Sequence, residues 1–263
     1  MKYDVLKRYR SFLNGGECEV QTSTAQKYYE RMGQLLQGQY LIRDGKEIDI
    51  SKVLDELSKI KYKNHFSQAK NALTYFCDCF GVALTAEQLW EIKKLEEHTK
   101  KKYRKLSASE YKKIKATIVR LKNKKLKQSY MVLIATGLRV SELTQIRAKD
   151  CIIFDDKIQF SFVGKGGSLE NAYLYKDDSN FYQDFEYSLK CRFNENNEKK
   201  LFYSTVYLQR KAKQYGFCCH DLRRAFAKIE YKKTKSKEAV KEKLRHTKIK
   251  TTNLYLKSPI KID

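Results

Sequence analysis

The chain has 263 residues, 41% of them hydrophobic and 13% aromatic, with a formal net charge of +24. This supports one large or two modest packed domains and excludes a chain disordered throughout. No apolar run approaches the ~20 residues of a membrane span, and Met1 to Arg10 lack the apolar stretch of a secretory leader, so the expectation is a soluble intracellular protein without a membrane partner.

The charge is uneven. Residues 1–100 carry 16 Lys and Arg against 14 Asp and Glu, whereas residues 101–263 carry 39 against 17. A lysine-rich composition accounts for Lys over Arg but not for that placement, which points to a polyanion met by the second part of the chain. The seven cysteines are odd in number and show no C-x-x-C spacing. They read as reduced structural thiols rather than as a zinc site or a disulfide framework.

In chain order, residues 1–97 read as a helical domain. Ser23 to Gln37 has helical periodicity, with Gly38 expected to end it. Tyr62 to Phe80 places Phe66, Ala69, Leu73, Phe76 and Phe80 on one face before Gly81. Thr85 to Glu97 opens on a capping box of Thr85 and Gln88. Residues 98–106 are basic without apolar period and read as a linker. Its Lys101, Lys102, Arg104 and Lys105 either follow a phosphate backbone or form a solvated tether.

Residues 107–263 read as an α-rich domain with a small three-stranded antiparallel sheet. Ser107 and Glu110 form a second capping box, Lys125 to Thr136 is a buried helix stopped by Gly137, and Arg139 to Ile146 is a short helix. Cys151–Phe154, Lys157–Val163 and Leu169–Tyr175 read as strands joined by turns at Asp155-Asp156 and at Gly164 to Gly167. Helices follow at Ser179–Cys191, Thr205–Tyr215, His220–Lys232, Lys237–Arg245 and Thr251–Leu256. The fold class is therefore mainly α.

Four segments carry chemistry. They are Ala135-Thr136-Gly137-Leu138-Arg139-Val140-Ser141-Glu142-Leu143, Lys165 on the glycine-rich turn, His220-Asp221-Leu222-Arg223, and Leu244-Arg245-His246 with Tyr255 nine residues on. Each alone has a plain structural reading: a capping arginine, a solvated lysine, a core histidine, a packing tyrosine. The turn is no phosphate-binding loop, since it lacks G-x-x-x-x-G-K-[ST]. Together they supply what phosphodiester chemistry needs: a nucleophile, cations for the non-bridging oxygens and an acid for the leaving oxygen. No carboxylate cluster has metal spacing, so neither metal nor other cofactor is expected.

In this order and spacing, the segments resemble the signature of the tyrosine recombinases, the phage integrase family: A-T-G-x-R-x-x-E-L, a hairpin lysine, H-x-x-R, L-G-H, and a tyrosine nine residues after the last histidine. The resemblance runs from about Ser107 to Leu256. It departs at Arg245, where the family has glycine, and in a tail of eight residues after Tyr255. Over residues 1–100 only size and helical character match the family's core-binding domain.

The resemblance implies that Tyr255 attacks the scissile phosphorus to form a 3′-phosphotyrosyl link. It implies that Arg139 and Arg223 hold the non-bridging oxygens, that His246 bonds the same phosphate, and that Lys165 protonates the leaving 5′ oxygen. His220 assists as base or electrostatic partner. Glu142 either orients these side chains or forms a surface salt bridge, and Arg224 joins the linker lysines as a DNA contact. The implied partners are double-stranded DNA with an inverted-repeat site, a homotetramer on two such sites and an accessory protein, in a cytoplasmic, nucleoid-associated setting. The implied role is integration or excision of a mobile element. Dimer resolution of the Xer type, in a similar two-domain layout, cleavage of the type IB topoisomerase kind and DNA binding without cutting stand as alternatives.

Overall fold

A computed structural model of the chain describes residues 3–15, 18, 20–38, 41, 42, 44–100, 107–164, 167–176, 180–195 and 197–256. Two compact units, Met1–Arg104 and Lys105–Asp263, divide it. Among the described residues no helix is long and apolar enough to cross a membrane.

The first unit is helical. A short antiparallel pair, β1 (Tyr3–Asp4) and β2 (Leu41–Ile42), accompanies five helices: α1 (Val5–Asn14), α2 (Thr22–Leu36), α3 (Ile50–Ser58), α4 (Lys63–Phe80) and α5 (Ala86–His98). The α4 face read from sequence forms the centre of the core: Phe66, Ala69, Leu73, Phe76 and Phe80 are all buried. Tyr9 crosses from α1 and donates its buried hydroxyl to the Ala72 carbonyl at 2.9 Å. Thr85 and Gln88 make the expected capping box on α5. The end of α2 differs from expectation. Gln37 (φ 41°) takes the left-handed cap, one residue before Gly38, which is itself at φ 88°. His98 to Lys100, read as linker, belong to this unit. His98 completes α5, and the Lys100 backbone exchanges hydrogen bonds with the strand-like stretch at Lys61 to Lys63.

The second unit wraps helices around one small sheet. After Ser107 and Glu110 cap α6 (Ala108–Val119), α7 (Lys124–Thr136) runs through the core, with Tyr130, Val132 and Leu133 fully buried. Then come α8 (Val140–Leu143), strands β3 (Cys151–Ile153), β4 (Lys157–Val163) and β5 (Leu169–Tyr175), and helices α9 (Asn180–Glu195), α10 (Thr205–Gln214), α11 (Cys219–Thr234), α12 (Lys237–Lys243) and α13 (Ile249–Leu256). The sheet order is β3-β4-β5, antiparallel throughout, with Phe160 of β4 paired to both Cys151 and Ala172. Ile158, Phe160 and Phe162 alternate inward, as a strand with one buried face should. Among the described residues no cysteine pair forms a disulfide.

Gly137 is the hinge on which the site turns. It caps α7 at φ 64°, its N–H bonding the Leu133 carbonyl at 3.1 Å, and a Cβ there would collide with the Phe226 ring. Gly137→Ala should therefore lose about 2 kcal/mol, from left-handed strain and overpacking together. For a unit of this size that lowers the melting temperature by roughly 4–8 °C. A calorimetric melt within one degree of the parent would refute this account of the turn.

Candidate active site

The turn at Gly137 delivers Arg139 to the N-cap of α8, and Glu142 sits at the third helical position. Glu142 Oε2 accepts from the Arg139 backbone N–H at 2.7 Å, while Oε1 pairs with the Arg139 guanidinium. This is a reciprocal cap built from the A-T-G-x-R-x-x-E-L spacing. Glu142 is 2% exposed, so the surface salt-bridge reading of it fails. Arg223 comes from α11 and is fully buried. Its guanidinium donates to the carbonyls of Gly137 and Leu244 and lies 3.7 Å from Glu142 Oε2. Its Nε has no hydrogen-bond partner among the described residues.

Arg245 adds a third guanidinium, 3.5 Å from Glu142 Oε2. Its backbone is left-handed, at φ 55°. A residue with a Cβ takes this left-handed backbone, where the signature has glycine, at a cost of roughly 1 kcal/mol.

The other half of the site is built on α11 and α13. His220, three residues before Arg223, places Nε2 2.8 Å from the Tyr255 hydroxyl oxygen. His246 is buried, its Nδ1 3.0 Å from Thr252 Oγ1, and Thr252 stands one turn before Tyr255 on α13. One helix therefore sets both the histidine and the tyrosine. The Tyr255 ring lies between the two imidazoles, with centroids 5.2 Å from His220 and 5.1 Å from His246. Tyr255 also packs against a small apolar cluster of Phe226, Ala227, Val240 and Leu244, which fastens α13 to α11 and α12.

The structure thus brings together Arg139, Glu142, His220, Arg223, His246 and Tyr255. Lys165 and the linker residues Lys101, Lys102, Arg104 and Lys105 lie outside the described residues. Arg224 is held in an ion pair with Asp221 at 2.9 Å. Arg245, Glu170 and Thr252 are the site-lining residues that motif reading passed over. Only Arg245 carried a signal, as the departure from glycine.

A model of the phage integrase family matches residues 104–260. The chain belongs to that family, the tyrosine recombinases. No curated protein matches the chain. Among solved structures, a lambda integrase (75–356) dimer bound to a COC′ core site is similar at a TM-score of 0.68 and 18% identity, covering 97% of this chain and 95% of that one. The Tn1549 transposon integrase in complex with transposon right end DNA gives 0.64 and 16%, covering 96% and 95%. The XerH site-specific recombinase bound to a palindromic difH substrate gives 0.61 and 15%, covering 88% and 75%. These likenesses establish the fold of this tyrosine recombinase: mainly helical, with the three-stranded antiparallel sheet.

The electrostatics of the candidate site follow from burial and from crowded cations. Burial alone would raise the Glu142 carboxyl, but the Arg139 N–H and guanidinium, with Arg223, outweigh it and hold the group ionised below its ordinary pKa. Burial and the neighbouring Arg139 lower Arg223 to about 10, which still leaves it cationic at neutral pH. His220 is pushed down to about 4 by the protein packed around its ring and then by Arg224 and Arg223. His246 falls to about 4 by burial and then by Arg223 and Arg139. Both imidazoles are therefore neutral at pH 7, and a neutral His220 with a free Nε2 can accept the Tyr255 proton. Among the described residues no cluster of His, Cys, Asp or Glu could hold a metal ion.

A neutral buried histidine makes stability pH-dependent. In the folded chain His246 stays unprotonated down to about 4. In the unfolded chain it binds a proton near 6.5, so between those values the unfolded state carries the extra proton and stability is lost as pH falls. His246→Gln should flatten the slope of melting temperature against pH between about 4.5 and 6.5. A slope identical to the parent's would show that His246 does not titrate in that window.

Proposed function

We propose that the chain is a site-specific DNA recombinase that cuts and rejoins duplex DNA through a 3′-phosphotyrosyl intermediate on Tyr255. The observation that carries this reading is the 2.8 Å approach of the His220 imidazole to the Tyr255 hydroxyl beside the guanidiniums gathered on Glu142. A phenol with an ordinary pKa near 10 needs a base and a cationic field to react at neutral pH, and both are at hand.

In the forward step Tyr255 Oη bonds to phosphorus as the bond to the 5′ oxygen breaks, and His220 Nε2 takes the phenolic proton. Arg139, which is 30% exposed and has guanidinium donors beyond those on Glu142, clamps a non-bridging oxygen. Arg223 has no exposed surface and acts on the phosphate through its charge. His246 donates to the same phosphate, and Lys165 protonates the leaving 5′ oxygen. Reversal by a 5′ hydroxyl from another strand rejoins the backbone. The phosphotyrosyl bond conserves the energy of the broken one, so neither ATP nor metal is needed.

Each chain offers one such tyrosine, and exchange between two duplexes breaks four strands, so four copies on two sites are required. The excess of positive charge after residue 100 supplies the phosphate contacts, with the linker lysines and Arg224 among them. The role we assign is integration and excision of a mobile element, within the cytoplasm and on the nucleoid. The same chemistry would serve dimer resolution, and sequencing the recombinant joints formed in cells separates the two.

Tyr255→Phe should abolish covalent trapping on a nicked duplex carrying the inverted repeat near the coding region, with DNA binding retained. Trapping that persists overturns the nucleophile. Binding should weaken by a factor on the order of 10³ between 50 and 200 mM salt, as counterion release by several cations requires. An affinity indifferent to salt would remove the DNA-clamping role.

A further inference from the structure

Arg245 does more than fill a glycine's place in a turn. Its Nη2 approaches Glu142, its Nε lies 3.4 Å from Glu170 Oε2 on β5, and its guanidinium rests over the Phe162 ring with Cζ 5.3 Å from the centroid. Its Nη1 donates to the Lys243 carbonyl at 2.8 Å. Glu170 in turn packs its carboxyl against Gly164, where a Cβ would collide with it, at the base of the turn that joins β4 to β5. Among the described residues neither Glu170 Oε2 nor Arg245 Nε has a hydrogen bond, so each of these buried atoms has its compensation in the other's charge.

The charges can be added. Three guanidiniums, from Arg139, Arg223 and Arg245, face two carboxylates, Glu142 and Glu170, which leaves one positive charge for one phosphodiester. Without Arg245 the set is neutral, and among the described residues the Glu170 carboxylate loses its ion-pair partner beside the cluster.

We propose that Arg245 is a positioning residue whose guanidinium pairs Glu170 with Glu142, holding the Glu170 carboxylate against the hairpin and keeping the arginine cluster cationic for a phosphodiester. The inference rests on the recombinase reading above for its catalytic consequence, but not for the pairing itself. It also gives the sign of a coupling. Loss of Arg245 should be harmful because Glu170 remains, and loss of both should be milder than loss of Arg245 alone.

Arg245→Gly suits the test, because glycine accepts the left-handed backbone and removes the side chain without strain. The variants to compare are R245G, E170Q and R245G/E170Q, with thermal melts to confirm that each folds. Two measurements are made. In the free protein, hydrogen exchange is read at the Gly164 and Gly167 amides, which the turn holds through the Ser168 and Gly164 carbonyls at 2.8 and 3.2 Å. With DNA, the rate of covalent adduct formation at saturating protein is read separately from affinity.

R245G should exchange those amides several-fold faster. It should form adduct about tenfold more slowly at nearly unchanged affinity, and the double variant should recover most of that loss. Exchange in R245G equal to that of the parent would overturn the pairing. A double variant no faster than R245G would overturn the charge argument. Absence of adduct from the parent itself would fall on the recombinase reading, while the exchange result would still decide the pairing.

Discussion

The buried carboxylate of Glu142 is the constraint around which the catalytic unit is arranged. An ionised carboxylate taken out of water is costly unless it is paired and hydrogen-bonded on several sides. Here it satisfies the Arg139 backbone at the start of α8 and attracts guanidiniums from α8, α11 and the turn after α12. Those guanidiniums would repel one another without it. The carboxylate therefore converts three separate positive charges into one local, preorganised field, which adds to burial in keeping the two imidazoles neutral at pH 7.

A second constraint works from the other side of the site. Thr252 and Tyr255 stand one turn apart on α13, so fixing His246 through Thr252 also fixes where the phenol can go. The apolar cluster of Phe226, Val240 and Leu244 beneath α13 supplies the packing that holds this helix, and Phe226 is also the ring that requires glycine at position 137. The turn that aims Arg139 and the helix that carries Tyr255 thus lean on one aromatic side chain. A cleft of about 830 Å³ beside β5 is lined by Tyr173, Phe181, Phe226, Lys233 and Arg245 among others, and by none of the proposed catalytic residues.

Much of this was legible from residue order. Periodicity placed α4 and its buried face, and the Ser-x-x-Glu and Thr-x-x-Gln signals placed two helix starts, because capping is a local contest between side chain and backbone. The strands of the sheet were readable for the same reason, each being decided within a few residues. The helices α1 and α3 escaped notice, although Asp4 and Asp49 cap them. Their windows are short, and packing against α2 and α4 stabilises them more than their own propensity does. Gln37 rather than Gly38 at the end of α2 is a choice between two adjacent residues that local signals could not separate.

Sequence by itself determined which residue types carry the chemistry, their order, the family signature and the concentration of positive charge after residue 100. These depend only on composition and spacing. Tertiary structure alone decided that Glu142 is buried, that Arg223 is sheltered in the free chain, that His220 meets Tyr255 at hydrogen-bond distance, and that Arg245 reaches Glu170. Each of these contacts joins residues brought together by folding, and the burial that sets their charges is a property of the packed chain, which no local pattern contains.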